Sequence, residues 1–181
     1  MNSRNDESSL PRPPCFRHIP EDMKERPTLA DILKDRYHLQ PLPEEGGYFW
    51  ENFRDDTATN IYYLMEQGDS FSAFHRVAVK ETWALVTGEA GNSPVYLYVL
   101  DYDGKGGLTK VELNPMNPRF TVPPGKWFAA EVVKQGSFSL VTCFCEPPFE
   151  YKYFELGNRE ALSEQFPEHR RLIEKLTRRV P

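Results

Sequence analysis

Between Gly46 and Leu156 the chain breaks into short runs rich in aromatic and β-branched residues, each ended by Gly, Pro, Asn or Asp. The runs are Tyr48–Phe53, Thr59–Met65, Phe71–Val77, Thr82–Val86, Val95–Leu100, Leu108–Leu113, Arg119–Val122, Trp127–Val133, Phe138–Cys145 and Tyr151–Leu156. Turn chemistry fills the breaks: Gln67-Gly68-Asp69, Asp103-Gly104-Lys105-Gly106-Gly107 and Pro123-Pro124-Gly125. With no helical pattern between them, so many closely spaced strands specify an all-β sandwich or barrel and exclude a parallel α/β sheet. Val95-Tyr96-Leu97-Tyr98-Val99-Leu100 is apolar on both faces, as in a strand covered on each side. The 39% hydrophobic and 13% aromatic content supplies one core.

Helices are predicted only at the ends. Thr28 is placed to cap a helix reaching about Leu39, with Asp31 at the capping-box position and Leu29, Ile32, Leu33 and Tyr37 at helical spacing. Pro41 and Pro43 stop it. At the other end Asn158 caps Arg159–Gln165, Pro167 opens a further turn, and Leu172, Ile173 and Leu176 form a narrow apolar stripe. Residues 1–27 hold Pro11, Pro13, Pro14, Pro20 and Pro27 without hydrophobic periodicity and read as a poorly structured tail or strap. Residues 28–181 read as one domain.

The net charge of −5 and pI near 5.5 argue against nucleic-acid binding. The cluster Arg170, Arg171, Lys175, Arg178 and Arg179 reads as a solvated helix face. No run approaches the ~20 apolar residues of a membrane span and no signal-like segment opens the chain, which points to the cytoplasm. Cys15, Cys143 and Cys145 show no disulfide framework. Cys143 and Cys145 share one strand face with Cα atoms roughly 6.6 Å apart, at the limit of a bridge, so buried reduced thiols are expected.

Chemistry concentrates in two stretches, Phe74-His75-Arg76-Val77-Ala78-Val79-Lys80-Glu81-Thr82-Trp83 followed by Gly88, and Val122-Pro123-Pro124-Gly125-Lys126-Trp127-Phe128-Ala129-Ala130-Glu131. They resemble the two cupin motifs: His75, Glu81, Gly88, Pro123 and Gly125 match, while Val77 and Phe128 stand where two further metal-ligating His belong. A closer resemblance, from about residue 29 to 180, is to the cupin-5 family. It is carried by Leu39-x-Pro41, Glu45-Gly46-Gly47-Tyr48-Phe49, Arg54, Thr59-Asn60-Ile61-Tyr62-Tyr63-Leu64, Glu81-x-Trp83 and Phe149-x-Tyr151-x-x-Phe154-Glu155-Leu156. Against that pattern, Lys80 replaces an acid, Ala84 replaces a His and Pro148 replaces a Gly. The resemblance implies a double-stranded β-barrel, or jelly roll, open at one end and often dimeric through exchanged N-terminal strands. In the wider superfamily some relatives are nucleotide-sugar epimerases with a His base and a Tyr acid.

His75 is the leading site residue, as base or ligand contact, with Glu81 as its partner or an acid raised by desolvation. Tyr62, Trp83, Trp127 and Phe128 are candidates for an aromatic pocket wall, and Glu131 and Glu51 for acids facing it. Arg54 and Lys126 are candidate anion contacts. Arg76, next to His75, points to the opposite face and into an ion pair. Val77 and Phe128 remove two ligands, so no cofactor is expected beyond a weak divalent ion at His75 and Glu81. Four functions follow in order: a metal-independent small-molecule-binding cupin, acting as a homodimer; an isomerase or epimerase of a carbohydrate or nucleotide sugar with His75 as base; an oligomeric scaffold with a vestigial pocket; and a metal-dependent oxygenase.

Overall fold

The computed structural model describes residues 27–68, 70–86, 92–132 and 137–178. The tail to residue 26 with Cys15, and Asp69, Gly88, Val133 and Arg179, lie outside them.

Helix α1, Leu29–Arg36, starts at a full capping box: the Asp31 amide donates to Thr28 Oγ1 and the Thr28 amide to the Asp31 carboxylate. Eleven strands follow among the described residues: β1 (Gln40–Pro41), β2 (Tyr48–Arg54), β3 (Thr59–Glu66), β4 (Ser72–Val77), β5 (Lys80–Leu85), β6 (Val95–Leu100), β7 (Leu108–Leu113), β8 (Arg119–Val122), β9 (Phe128–Val132), β10 (Phe138–Glu146) and β11 (Phe154–Leu156). Helices α2 (Arg159–Gln165) and α3 (Arg170–Lys175) close the chain, with a short 3₁₀ turn at Pro167–His169 between them. The sequence predicts a single strand over Tyr151–Leu156. Its first half is a 3₁₀ turn instead, closed by the Tyr153 amide on the Glu150 carbonyl.

The strands form two antiparallel sheets, one ordered β1-β2-β3-β10-β5-β8 and the other β11-β4-β9-β6-β7. This is the predicted jelly-roll barrel. Side chains alternate between faces along a strand, so inward residues of both sheets meet in one core: Tyr63 and Met65 from β3, Val77 from β4, Trp83 and Leu85 from β5, Phe128 and Ala130 from β9, Val141 and Cys143 from β10. Two outer clusters cover the backs of the sheets. Leu33 and Tyr37 pack with Leu64, Leu140 and Tyr62 on the first. Phe74, Trp127 and Ala129 of the second lie under Leu162, Ile173 and Leu176 of the C-terminal helices. Of the helix face read from the sequence, Leu29 and Ile32 are exposed at 40% and 42%, and Ala30 shares the buried side with Leu33.

The turn into β2 needs its glycines. Gly46 and Gly47 have φ of 113° and 68°. A Cβ on Gly46 would stand 2.3 Å from the Phe71 carbonyl oxygen, and one on Gly47 2.8 Å from that of Leu64. Only a residue without a side chain lets the backbone pass there. The turn swings Glu45 against Ser72 at the head of β4, a placement that matters below.

Candidate functional site

A cavity of about 380 Å³ opens between the sheets at one end of the barrel, within the range of small-molecule sites. Phe49, Ile61, Val77, Phe149, Tyr151 and Phe154 form its apolar wall, and Glu45, Glu51, Arg54, His75, Glu81 and the Cys143 and Cys145 thiols supply its polar groups.

His75 sits in β4 opposite Phe128 of β9 and Leu156 of β11. It is 2% exposed. Its ring lies between Phe128, with centroids 4.2 Å apart, and Phe154, at 5.4 Å and nearly parallel. Nδ1 is 2.8 Å from the Ala73 carbonyl oxygen. A carbonyl can only accept, so Nδ1 carries the hydrogen, and in the neutral ring Nε2 is left with its lone pair. No group among the described residues bonds Nε2. The Glu45 carboxylate, which accepts from Ser72 Oγ at 2.5 Å, lies 3.8 Å from Nδ1.

Glu81 and Trp83, two apart in β5, point inward together, opposite Cys145 and Cys143 of β10. Trp83 Nε1 donates to Glu81 Oε1 at 2.8 Å. Burial raises the Glu81 pKa from 4.5 to about 7. A positive charge on nearby His75, when that ring is protonated, pulls it down, Glu45 pushes it up, and hydrogen bonds from Trp83 and the Cys143 thiol lower it. Burial and Glu81 in turn hold the Cys143 thiol well above its ordinary range, and burial does the same for Cys145. Both cysteines are free and buried, unreactive as thiolates. The cavity thus holds a free imidazole lone pair and a carboxyl group that gains or loses its proton near neutrality. Those are the parts of a general base and a general acid.

The site residues read from the sequence divide by strand parity. His75, Glu81, Glu51 and Arg54 line the cavity. Trp83 and Phe128 lie inward but behind it, Trp83 as the hydrogen-bond donor to Glu81 and Phe128 as the ring beneath His75. Tyr62, Trp127 and Glu131 are not at the cavity, because their neighbours Tyr63, Phe128 and Ala130 take the inward positions. Tyr62 packs on Tyr37 outside the first sheet, and Trp127 lies under the Arg76 guanidinium outside the second. Glu131 accepts from Tyr98 Oη and Lys175 Nζ. Ala84 likewise shares the outward side of β5 with Thr82, so the change from His there removes nothing from the cavity. Lys126 is held by the Asp101 carbonyl and carboxylate, and is no anion contact of the cavity. Arg76 pairs with Glu155 on the outer face, as its parity requires.

Glu45, Phe49, Phe149, Tyr151 and Phe154 are among the cavity residues that the sequence does not single out as site residues. Glu45 precedes the Gly46-Gly47 turn and Phe149 follows Pro147-Pro148, so neither sits in an alternating run. The only available signal was an acid next to two glycines.

The chain matches the family model described as "Cupin superfamily (DUF985)", Cupin_5, over residues 32–157. Protein SO0799 from Shewanella oneidensis, solved by X-ray crystallography, is 30% identical, with a TM-score of 0.74 over 83% of this chain and 98% of that one. A hypothetical protein from Leishmania major is 28% identical, with a TM-score of 0.72 over 83% and 99%. Oxalate decarboxylase from Bacillus subtilis, at 11% identity and a TM-score of 0.52 over 79% of this chain and 40% of that one, shares the fold. No curated protein sequence matches.

Cupin motifs imply a divalent metal, and the donor set here does not fit one. Val77 and Phe128 fill two ligand positions with hydrocarbon, and among the described residues no three His, Cys, Asp or Glu groups are arranged to hold an ion. Nor is any described helix long and apolar enough to cross a membrane.

Proposed function

The chain belongs to the Cupin_5 family of the cupin superfamily, and from that premise we propose that it is a small-molecule-binding cupin that holds its ligand in the barrel without a metal. The observation that carries this reading is the convergence of His75, Glu81 and Glu45 on one apolar-walled cavity, with no hydrogen bond to His75 Nε2 from the described residues. An imidazole nitrogen that no protein group occupies is open to a hydrogen bond from a ligand donor in the cavity. Wild-type protein screened by thermal shift against polar small molecules bearing a ring or alkyl chain should show hits that raise its melting temperature. His75→Ala, checked for folding by its own unliganded transition, should lose them. Equal shifts in the variant, or stoichiometric divalent metal in the purified wild type, would sink the proposal in this form.

A second reading is an isomerase or epimerase working by proton transfer. His75 Nε2 would take the proton and Glu81, poised near neutrality, would return it. Glu81 replaces the Tyr acid of the epimerase relatives here. Tyr62 is outside the barrel, and Tyr151, 70% exposed, stands at the mouth. Exchange of solvent hydrogen into a bound ligand, lost in His75→Ala, separates this enzyme from a binder.

The proposal includes a homodimer. Trp50 and Phe53 of β2 are 40% and 45% exposed, and beyond Phe49 no described strand pairs the outer edge of β2. An open edge with exposed aromatic residues is suited to pairing. Sedimentation velocity should give a dimer that Trp50→Glu dissociates; a wild-type monomer would exclude it.

A further inference from the structure

Five glutamates line the cavity, Glu44, Glu45, Glu51, Glu81 and Glu150, against one guanidinium, Arg54. Arg54 is already paired with a carboxylate of the same cavity. Its Nε and Nη2 donate to the two oxygens of Glu51 at 2.9 and 2.7 Å, and Nη2 also reaches the Phe149 carbonyl at 3.1 Å. Glu150 is paired with Lys152 at 2.8 Å. The carboxylates of Glu44, Glu45 and Glu81 form no ion pair with Lys or Arg among the described residues, although Arg178 donates to the Glu45 main-chain carbonyl.

The floor repeats this bias. His75 is 2% exposed, its Nδ1–H is spent on the Ala73 carbonyl, and its Nε2, which no described residue bonds, presents a lone pair. Beside it are the Glu45 and Glu81 carboxyls. The side-chain donors beside them are already committed: Ser72 Oγ to Glu45, and Trp83 Nε1 and the Cys143 thiol to Glu81. Around these acceptors stand the rings of Phe49, Phe149, Tyr151 and Phe154. Buried acceptors enclosed by aromatic faces favour a cation twice, once by charge and hydrogen bonding and once by the ring quadrupoles.

We propose that the cavity selects an organic cation, a protonated amine or amidine on an apolar or aromatic body, whose N–H groups meet His75 Nε2 and the Glu45 and Glu81 carboxyls. This rests on reading the cavity as the ligand site, and it narrows that reading. A phosphorylated ligand or nucleotide sugar would bring its charge against carboxylates that no Lys or Arg side chain pairs among the described residues. The cavity's Arg54 is bonded to Glu51, and the adjacent Arg178 to the Glu45 and Phe71 carbonyls.

The test uses three probes with the same ring and nearly the same length: phenethylammonium, phenethyl alcohol and hydrocinnamate. Each is titrated into the full chain at about pH 8, where ordinary carboxylates are ionised. The readout is the NMR shift of the His75 ring protons. The ammonium should bind at least ~10-fold more tightly than the alcohol, and the carboxylate more weakly than either. Glu45→Gln should narrow the gap between ammonium and alcohol several-fold. Alcohol or carboxylate binding as tightly as the ammonium overturns the charge assignment while leaving the barrel a ligand site. No response of the His75 signals to any probe at millimolar concentration overturns both.

Discussion

Trp83→Ala is expected to lose about 3–5 kcal/mol of folding free energy, the range for deleting a large buried aromatic. It should appear as a lower midpoint of guanidinium unfolding at an unchanged slope. Trp83 is 1% exposed and sits edge-on to Tyr63 and Phe128, at centroid distances of 5.5 and 5.9 Å. It therefore ties β5 to β3, two strands away across β10 in the same sheet, and to β9 across the core. Alanine leaves a cavity that three strands of regular ladder cannot collapse to fill. The indole has a second role that Trp83→Phe isolates. Phenylalanine keeps most of the packing but withdraws the Nε1–H from Glu81, at an expected cost of about 1–2 kcal/mol for a buried acceptor deprived of its donor. That hydrogen bond lowers the Glu81 pKa, so its loss should move the Glu81 titration upward. A loss below about 1 kcal/mol in Trp83→Ala would mean that the inter-sheet core does not depend on this ring.

The fold was legible in the sequence because its signals are local and repeated. Val95–Leu100, Leu108–Leu113, Arg119–Val122 and Arg159–Gln165 fall where alternation, turn residues and the Asn158 cap put them. The site was legible only where alternation could be anchored. Once His75 is taken as inward, Val77 follows and Arg76 goes outward into its pair with Glu155. The same rule excludes Trp127 and Phe128 from sharing a face, and Trp83 from sharing one with residue 84. Chemical type alone makes Trp127, Glu131 and Tyr62 candidates for the wall, and parity removes them from it. Glu45, Phe149 and Tyr151 are different in kind. They project from turns and a 3₁₀ segment, where no periodicity relates a residue's position to its direction. Long-range contacts fix them instead: Ser72 Oγ holds the Glu45 carboxylate, and Thr59 Oγ1 accepts from the Phe149 amide.

Glu81 should make the protein less stable as pH rises through neutrality, opposite to the usual behaviour of a paired carboxylate. In the folded chain its pKa is about 7, raised by burial from 4.5. Between those values the native state keeps a proton that the unfolded chain has released, so the slope of unfolding free energy against pH is negative. The stabilisation is complete below about pH 4.5, declines towards pH 7 and is gone above it. With about 1.4 kcal/mol per pH unit between the two pKa values, the decline is roughly 3 kcal/mol. Exposed Asp31 and Asp55 and half-buried Asp101 have lowered pKa values and act in the other direction, below pH 4. They are unchanged in Glu81→Gln, so subtracting its pH profile from the wild-type profile leaves the Glu81 contribution alone. The difference curve, from urea unfolding at a series of pH values, should fall between pH 4.5 and 7 and then level. A flat difference curve would show that Glu81 is already ionised in the folded protein. It could not then return a proton to a ligand, and the isomerase reading would lose its acid.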